Sequence, residues 1–277
     1  MLKLVFVDMD DTFLCPDKSI SSENMVVLDH ALQRGVQFVP CTGRNVTGLP
    51  SQLVEHDCVS YAVCCNGTLI RDVRSGQILH EVAIDKDSVR ALYQQVKHLN
   101  ISFDLFADGT VYTVRDRWHV LEEMPVDEPM REQIMGMRTI WDGSVEDLLD
   151  TCGNICRLNV FYLDDAARDA VWSAIDADPG LRRTSSLCCN IEVTNVDGHK
   201  GSGLSWLCNH LGVDVADTIA FGDAGNDVTM LRAAGDGVAM ANAMAEAKAA
   251  ADHVCGSCAE SGVARYLEPI LQNLPCA

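Results

Sequence analysis

The chain alternates short apolar runs with longer segments whose apolar residues recur at helical spacing. The first run covers residues 2–7, and a helix follows that Ser21 or Ser22 caps and Gly35 ends. A second apolar run, 36–39, comes next. Continuous apolar runs are typical of strands buried on both faces, and strands that alternate with helices form parallel sheets. The first third of the chain therefore predicts a parallel sheet with helices on both faces.

A third apolar run, 61–65, ends in the pair Asn66-Gly67, which is a strong signal for a tight turn. The pair predicts a hairpin into residues 68–71. A plain hairpin turn is one interpretation of Asn66-Gly67. A contact with a bound ligand is the other, and the residues leave both open.

The middle of the chain, from residue 84 to 189, has a different pattern. Helical segments are mixed there with amphipathic strands over 101–106, 110–114 and 157–163. Asp108-Gly109 predicts a hairpin turn between the first two of these strands. This pattern predicts a second α+β domain with a small core of its own.

The last third of the chain returns to the pattern of the first. Residues 218–221 and 238–240 read as short buried strands, with a helix between them. The simplest architecture is therefore an α/β core, doubly wound like a Rossmann fold, that both chain ends build together. We assign residues 1–83 and 190–277 to this core and residues 84–189 to the inserted α+β domain.

The net charge limits the partners that this chain can have. Its 277 residues include 40 acidic and 21 basic ones, a formal charge of −19. Nucleic acids and anionic membrane surfaces select basic patches, so we expect neither as a partner. An anionic small molecule needs local positive charge from a metal ion, a helix N-terminus or a few lysines and arginines. No apolar stretch has the length of a membrane span, and residues 1–7 do not resemble a signal peptide. We therefore expect a cytoplasmic protein.

The 13 cysteines are numerous for a chain of this length. A long chain without an export signal predicts free thiols rather than a disulfide framework. Cys255 and Cys258 form a C-x-x-C pair that no second pair matches. Free thiols are the expected state of this pair, and half a zinc site or a redox pair are the alternatives.

Four polar clusters carry the candidate chemistry, and three of them follow apolar strands directly. The clusters cover residues 8–12, 41–44, 197–201 and 222–227. In open α/β sheets, ligands collect at the carboxyl ends of the parallel strands. A single aspartate there often only caps a helix, but several aspartates with a lysine and a threonine indicate a site. Asp8 and Asp223 offer two hard oxygen ligands, which suit Mg²⁺ when waters and phosphate oxygens complete the shell.

In chain order, the clusters resemble the four motifs of the haloacid dehalogenase superfamily, and within it the Cof-type sugar-phosphatase branch. The matching residues are Asp8, Asp10 and Thr12 for D-x-D-x-T, Thr42-Gly43-Arg44 for the T-G-R of the branch, Lys200 for the third motif, and Gly222, Asp223, Asn226 and Asp227 for G-D-x-x-N-D. Four motifs in order make the resemblance specific. The inserted domain corresponds by its position to the cap of that family.

The resemblance implies a Mg²⁺-dependent phosphatase that acts on small phosphorylated metabolites through an aspartyl phosphate. The implied roles are nucleophile for Asp8; general acid and base for Asp10; metal ligands for Asp8, the main-chain carbonyl of Asp10, and Asp223; phosphoryl or substrate binding for Thr42, Gly43, Arg44, Asn66, Lys200 and Asn226; and support for Thr12 and Asp227. Phosphoryl transfer needs positioning and charge neutralisation above all, and a cation with Lys200 supplies both in this acidic chain.

Two other functions remain open at this stage. A phosphomutase on the same fold transfers phosphate between positions of a sugar, and it must exclude water from the aspartyl phosphate. A catalytically silent binding protein on this fold would be free to lose Asp8, Asp10, Lys200 and Asp223, all of which are present. Asp11 departs from the family, which often has glycine there, and its extra carboxylate can bias the metal or the substrate.

The substrate is not readable from the chain. In this family the inserted cap closes over the core and supplies specificity, so the choice lies within residues 84–189. Arg115, Trp118, His119 and Arg157 are conceivable contacts there, and each is equally well an ordinary surface or core residue. The sequence gives no indication of the oligomeric state.

Overall fold

The structure is a computed structural model that describes residues 1–275, and of Thr47 only the backbone. The first segment of the chain begins and ends with strands. Its elements are β1 (Leu4–Val7), α1 (Ser22–Gln33), β2 (Gln37–Pro40), α2 (Ser51–Val54), β3 (Tyr61–Cys64), β4 (Leu69–Asp72) and β5 (Ile78–Glu81). The predicted cap of the first helix is correct, because the Ser21 side chain accepts a hydrogen bond from the main-chain N–H of Asn24.

The middle segment contains five helices and six strands. They are α3 (Lys86–Val96), β6 (Asp104–Ala107), β7 (Thr110–Val114), α4 (Trp118–Glu123), α5 (Glu128–Gly136), β8 (Arg138–Trp141), α6 (Val145–Thr151), β9 (Ile155–Phe161), α7 (Asp165–Asp176), β10 (Leu181–Thr184) and β11 (Asn190–Asn195). The final segment has α8 (Lys200–Leu211), β12 (Thr218–Gly222), α9 (Val228–Ala233), β13 (Asp236–Ala239), α10 (Ala245–Ala250), β14 (His253–Val254) and α11 (Gly262–Gln272).

The predicted parallel sheet is confirmed. Five strands from the two chain ends pair in the order β14-β13-β12-β1-β2, and every pairing is parallel. All four residues of β1 are buried, as its continuous apolar run predicts. Val7 pairs with Phe221 on one side and with Pro40 on the other. The polar residues that follow β1, β2 and β12 therefore meet at one edge of the sheet.

The third apolar run belongs to a different sheet from the one its pattern suggests. β3 pairs with β4 and β4 with β5, both antiparallel, in a separate three-stranded sheet. β3 is joined to the end of β2 by an isolated parallel bridge between Val63 and Cys41. The predicted hairpin at Asn66-Gly67 is present, with Cys64 opposite Leu69.

Contacts divide the chain into two compact units. The core unit consists of Met1–Glu81 and the chain from His199 onward, and the inserted unit is Val82–Gly198. The boundary predicted from the sequence is residue 189, whereas β11 pairs with both β9 and β10 and lies in the inserted unit. β11 alternates polar and apolar residues, which is the pattern of the amphipathic strands of the inserted unit.

The inserted unit is built on a six-stranded sheet in the order β10-β11-β9-β6-β7-β8. Its pairings are antiparallel except for β7 with β8. The predicted hairpin between β6 and β7 is confirmed, and Asp108 and Gly109 both have positive φ angles, as the tightest hairpin turns require. Helices α3, α6 and α7 contribute to one core cluster with this sheet. Across residues 1–275, no helix is both long and apolar enough to cross a membrane.

Candidate active site

Lys200 begins helix α8 and is the centre of the site. Its ammonium donates hydrogen bonds to Asp8 Oδ1 at 2.5 Å and to Asp227 Oδ1 at 2.6 Å, and its side chain is 0% exposed. His199 precedes it as the N-cap and accepts a hydrogen bond from the N–H of Ser202. Asp8 follows β1 directly, and its own N–H bonds to Phe221 of β12. Strand ends and a helix start thus bring the three charged groups together.

Two glycines allow the backbone to approach the start of α8 closely. Gly67 has a φ of +100°, and a Cβ built there would lie 2.1 Å from the carbonyl oxygen of His199. A Cβ on Gly201 would lie 2.3 Å from the carbonyl oxygen of Thr229. Such distances exclude any side chain at these positions. The β3–β4 turn and α9 therefore pack directly against the turn of helix that carries Lys200.

The buried cluster is electrostatically coupled. Burial raises the pKa of Asp8 well above its usual value, and the charges of Asp227 and Asp223 act in the same direction, while Lys200 opposes them. Burial lowers the pKa of Lys200, but the two carboxylates that it contacts outweigh burial, so the pKa is raised. Lys200 thus keeps its charge, and three carboxylates face one lysine. An additional cation would favour the ionised form of Asp8.

Asp223 follows β12 and is oriented by Thr12, whose Oγ1 donates to Asp223 Oδ1 at 2.9 Å. Burial raises the pKa of Asp223 to about 6, and the neighbouring charge of Asp227 contributes. Asp227 itself is fully engaged: Oδ1 accepts from Lys200, and Oδ2 accepts from the N–H groups of Asp223 and Ala224, both at 3.0 Å. Asp227 therefore fixes both Lys200 and the loop that carries Asp223.

Ligand oxygens of Asp8, Asp223 and Asp227 lie within 4.8 Å of one another. Of these carboxylates, Asp227 already has partners on both oxygens. The hydrogen bonds of the described residues leave Oδ2 of Asp8 and Oδ2 of Asp223 available. Two hard carboxylate oxygens, with the remaining positions open to water and phosphate, fit the ligand preference of Mg²⁺. The predicted ligand pair Asp8 and Asp223 thus has a suitable donor set.

Asp10 has hydrogen-bond partners that do not belong to the Lys200 cluster. Arg44 Nε donates to Asp10 Oδ2 at 2.9 Å and Arg44 Nη2 to Oδ1 at 2.5 Å, and Lys18 Nζ donates to Oδ1 at 2.7 Å. Burial alone would raise the pKa of Asp10, but these two cations outweigh it and the pKa is lowered. Lys18 is not among the residues that the sequence predicts for the site. It lies in a turn, and no sequence pattern specifies where the side chain of a turn residue points.

Thr42 is buried at the end of β2. Its main-chain N–H bonds to the carbonyl of Val63, and its hydroxyl accepts a hydrogen bond from the N–H of Arg44 at 3.1 Å. Gly43 lies between these two residues in the same loop. The T-G-R segment is therefore a compact turn, and its guanidinium reaches the carboxylate of Asp10.

Asn66 and Asn226 meet although they are 160 residues apart in the chain. Asn226 Nδ2 donates to Asn66 Oδ1 at 3.1 Å. Asn66 is buried and has a φ of +59°, and Cys65 before it has a φ of +51°. Left-handed conformations at residues other than glycine are uncommon and cost free energy. The turn of the hairpin thus places the Asn66 amide beside the fourth motif.

Asp11 has a φ of +57°, in the left-handed region. Glycine adopts this region at no steric cost, and aspartate is among the residues that tolerate it best. The backbone conformation thus explains why the position suits glycine and accepts aspartate. The carbonyl of Asp11 accepts a hydrogen bond from Asn242 at 2.8 Å, which any residue at the position would keep.

The four conceivable contacts of the inserted unit have structural partners. Arg115 pairs with Asp142 at the surface, and Trp118 packs against a small core cluster. His119 lies near Asn100 Oδ1, at 2.7 Å. Arg157 is buried, forms an ion pair with Glu192 at 3.2 Å and lies over the ring of Phe106. Each of the four side chains thus has a contact within the inserted unit.

The cysteines of residues 1–275 are free thiols. Burial raises the pKa of Cys255 to about 11, which disfavours the reactive thiolate. Its Sγ lies 3.5 Å from the sulfur of Met240. Within the described part of the chain, the acidic group around Asp8 is the one cluster of three or more potential metal ligands.

Comparison with known proteins identifies the family. The family model for haloacid dehalogenase-like hydrolases matches residues 5–267, which is nearly the whole chain. The chain therefore belongs to the haloacid dehalogenase-like hydrolase family. This confirms the resemblance that the four motifs indicate.

Individual relatives extend over the full length of the chain. A Bacillus subtilis (strain 168) protein named "Putative phosphatase YxeH" is 29% identical over 279 residues, covering 98% of this chain and 99% of the relative. The structure of a haloacid dehalogenase-like hydrolase from B. subtilis has a TM-score of 0.83 at 26% identity, covering 99% of this chain and 100% of that one. The phosphatase BT1666 from Bacteroides thetaiotaomicron has a TM-score of 0.77 at 25% identity, with coverages of 97% and 95%.

Proposed function

We propose that this protein is a Mg²⁺-dependent phosphatase that hydrolyses phosphomonoesters of small metabolites through an aspartyl phosphate on Asp8. The observation that carries the proposal is the buried contact of Lys200 with Asp8 and Asp227, next to Asp223. Full-length similarity to a protein named as a phosphatase supports it. A hydrolase needs a nucleophile, a group that neutralises the phosphoryl charge and an acid for the leaving oxygen.

Asp8 is the nucleophile in this proposal. The Asp8 carboxylate, which Lys200 holds through Oδ1, attacks phosphorus in line with the ester oxygen. The new bond joins one oxygen of this carboxylate to phosphorus, and the bond from phosphorus to the ester oxygen breaks. Water then attacks the aspartyl phosphate and releases inorganic phosphate, which restores the Asp8 carboxylate.

Asp10 transfers the protons in both steps. It donates a proton to the departing ester oxygen and takes one from the attacking water. The bidentate contact with Arg44 fixes the direction of the Asp10 carboxylate. Asp10 must receive its proton before the first step, so the contacts with Arg44 and Lys18 have to loosen when substrate binds.

The phosphoryl oxygens are bound by groups from four segments of the chain. The proposed donors are Lys200, the Thr42 hydroxyl, the backbone around Gly43, Arg44, and the amides of Asn66 and Asn226. The close contacts at Gly67 and Gly201 hold the Asn66 turn and helix α9 against the start of α8, which carries Lys200. Preorganised donors of this kind stabilise the charge of the transferring phosphoryl group without a reorganisation cost.

Asp8 Oδ2, Asp223 Oδ2 and the main-chain carbonyl of Asp10 would hold the Mg²⁺ ion. When bound, it supplies positive charge to the carboxylates and to the phosphoryl oxygens. The negative charge of the four carboxylates of the site exceeds the positive charge of Lys200, Arg44 and Lys18. A metal ion is therefore needed to neutralise the site. The resemblance to the Cof-type branch makes sugar phosphates the first substrate class to test.

The test is phosphate release from an aryl phosphate and a panel of sugar phosphates, with Mg²⁺ or with EDTA. Asp8→Asn keeps the size of the side chain and removes the nucleophile, while Asp57→Asn makes the same change at an exposed position with 84% of the side chain accessible. We expect wild type and Asp57→Asn to release phosphate with Mg²⁺ and not with EDTA. Asp8→Asn should release none under either condition. Phosphate release by Asp8→Asn at the rate of wild type would refute the proposal.

The same proteins distinguish the two alternative functions. If wild type releases no phosphate, incubation with a labelled phosphate donor and mass spectrometry of the protein tests for phosphate on Asp8. A labelled Asp8 with transfer to a sugar indicates a mutase. No label on wild type under any condition indicates a silent binding protein.

A further inference from the structure

The turn formed by residues 15–19 holds Lys18 against Asp10. The N–H of Cys15 bonds to the carbonyl of Ser19 at 2.9 Å, and the N–H of Lys18 bonds to the carbonyl of Cys15 at 2.8 Å. The Asp17 carboxylate accepts hydrogen bonds from the N–H and the hydroxyl of Ser19. Lys18 Nζ then reaches Asp10 Oδ1 at 2.7 Å. The turn therefore gives the Lys18 side chain a defined position beside the site.

Asp10 does not need Lys18 for its own neutralisation. Arg44 forms two parallel hydrogen bonds with the Asp10 carboxylate, which is the strongest geometry available to such a pair. Lys18 adds a second positive charge, so the group of Asp10, Arg44 and Lys18 carries a net charge of about +1. An ammonium has three donors, and the described residues accept one of those of Lys18. Lys18 thus has charge and donors to offer to a ligand.

The contact with Asp10 also tells which part of a substrate Lys18 would meet. Lys200 and Asp8 define the phosphoryl side of the site, whereas Asp10 serves the oxygen that leaves. Lys18 is hydrogen-bonded to Asp10, so it lies on the side of the leaving group. An anionic group a few bonds from the ester oxygen is within reach of its ammonium.

We propose that Lys18 binds a second anionic group on the leaving group of the substrate, a carboxylate or a second phosphate, and so selects doubly anionic phosphate esters. The inference rests on the proposed phosphatase function. In a chain of net charge −19, a substrate with two anionic groups is repelled unless each of them meets a cation. Lys200 and the metal neutralise the phosphate that is transferred, and Lys18 neutralises the second anionic group.

The experiment compares substrates that differ in this second group alone. Glycerol 3-phosphate is paired with 3-phosphoglycerate for the carboxylate, and fructose 6-phosphate with fructose 1,6-bisphosphate for the phosphate. kcat and KM are measured for wild type, Lys18→Met, Lys18→Arg and the control Lys3→Met. Lys3 is exposed, precedes β1 at the opposite end of the strand from Asp8, and carries the same charge.

We expect wild type to favour the doubly anionic member of at least one pair. Lys18→Met should lower that preference by about tenfold, through KM, since charge-assisted hydrogen bonds have about this strength. Lys18→Arg should keep most of the preference, and Lys3→Met should keep all of it. A preference that is unchanged in Lys18→Met, or absent in wild type for both pairs, overturns the inference. The pair that responds tells whether the second group is a carboxylate or a phosphate.

A binding measurement separates the inference from the proposed function. If wild type releases no phosphate from any substrate, the phosphatase proposal fails. Calorimetric affinities of wild type and Lys18→Met for the same four compounds then decide on Lys18. An affinity ratio within each pair that is the same in both proteins contradicts the inference, and a ratio about tenfold smaller in Lys18→Met supports it.

Discussion

Each charged side chain of the Lys200 cluster is held by its neighbours, and this interdependence determines what a substitution does. Lys200 is fully buried between Asp8 and Asp227. Removing one partner of a buried ion pair typically costs about 3–5 kcal/mol, because it leaves a buried charge without compensation. Asp227 in addition accepts from two main-chain N–H groups of the Asp223 loop. It is therefore a positioning residue for both Lys200 and Asp223.

Asp11 gives a prediction about backbone conformation. Its φ of +57° costs free energy for residues with a Cβ, and least for aspartate and asparagine among them. We expect Asp11→Gly to leave the free energy of unfolding within about 0.5 kcal/mol of wild type, because relief of strain offsets the greater entropy of the unfolded chain. Asp11→Ala should lower it by about 1 kcal/mol. Urea unfolding of the three proteins checks this order, and an Asp11→Ala protein as stable as Asp11→Gly would contradict it.

Side chains that follow strands could be identified from the sequence, whereas one side chain in a turn could not. Asp223, Asp8 and Thr42 follow β12, β1 and β2, which are adjacent strands of the parallel sheet, so their proximity could be predicted. Lys18 belongs to a turn and has a φ of +65°. Its approach to Asp10 depends on the conformation of every residue in that turn, which no periodic pattern encodes.

At the scale of elements, the site depends on the close packing of the β3–β4 turn against the start of α8. We expect Gly67→Ala to lower the free energy of unfolding by more than about 4 kcal/mol, since the new Cβ collides with main-chain atoms. The nearest are the carbonyl oxygen of His199 at 2.1 Å and the main-chain nitrogen of Lys200 at 2.8 Å. Main-chain atoms cannot rotate away as a flexible side chain can. Urea unfolding followed by circular dichroism measures the effect.

Gly212 provides the matched control for this change. It also has a positive φ, +66°, but a Cβ built there meets nothing within 4 Å. Gly212→Ala should therefore cost about 1–2 kcal/mol, the price of the left-handed conformation alone. Equal losses in the two variants would show that backbone conformation, and not the contact with α8, makes Gly67 necessary.

A hydrogen bond between α11 and β13 gives a prediction about pH. Tyr266 Oη donates to Asp236 Oδ2 at 2.8 Å, and burial, followed by this carboxylate, raises the pKa of Tyr266. The folded protein thus binds the phenol proton more tightly than the unfolded chain, whose pKa is about 10. This contribution to stability is complete below pH about 10 and is lost as the pH rises through the folded value. Above pH about 10, the free energy of unfolding of wild type should fall more steeply than that of Tyr266→Phe. Parallel curves from urea titrations would refute this.

The strand pattern was informative about elements and less so about their pairing. β1, β2 and β12 could be predicted because a fully buried strand has an uninterrupted apolar run. The same pattern in β3 suggested the central sheet, although β3 pairs antiparallel with β4 in a separate sheet. An apolar run reports that a strand is buried on both faces, and it does not specify the neighbouring strand.

At the scale of the molecule, the inserted unit has the features of an independent folding unit. Its main core cluster, from Ile84 to Val193, lies entirely within it. Both ends of this segment form hydrogen bonds within the inserted unit itself. The N–H of Ile84 bonds to the carbonyl of Ile155 at 2.8 Å, and Asn195 Nδ2 bonds to the carbonyl of Ala83 at 3.0 Å. Excision at these ends breaks few of the contacts that hold the unit together.

We therefore expect a fragment of residues 82–198 to fold alone and to unfold cooperatively in urea, with near-ultraviolet circular dichroism from its packed aromatic side chains. A fragment of residues 84–189, cut at the boundaries that the sequence suggests, should fail to do so. It lacks β11, the strand that pairs with both β9 and β10, so β10 loses its neighbour in the sheet and the apolar residues Ile191 and Val193 leave the core. The two fragments are compared under identical conditions. Folding of the shorter fragment would mean that β11 is dispensable to the unit, and a longer fragment without a cooperative transition would mean that the inserted unit needs the rest of the chain.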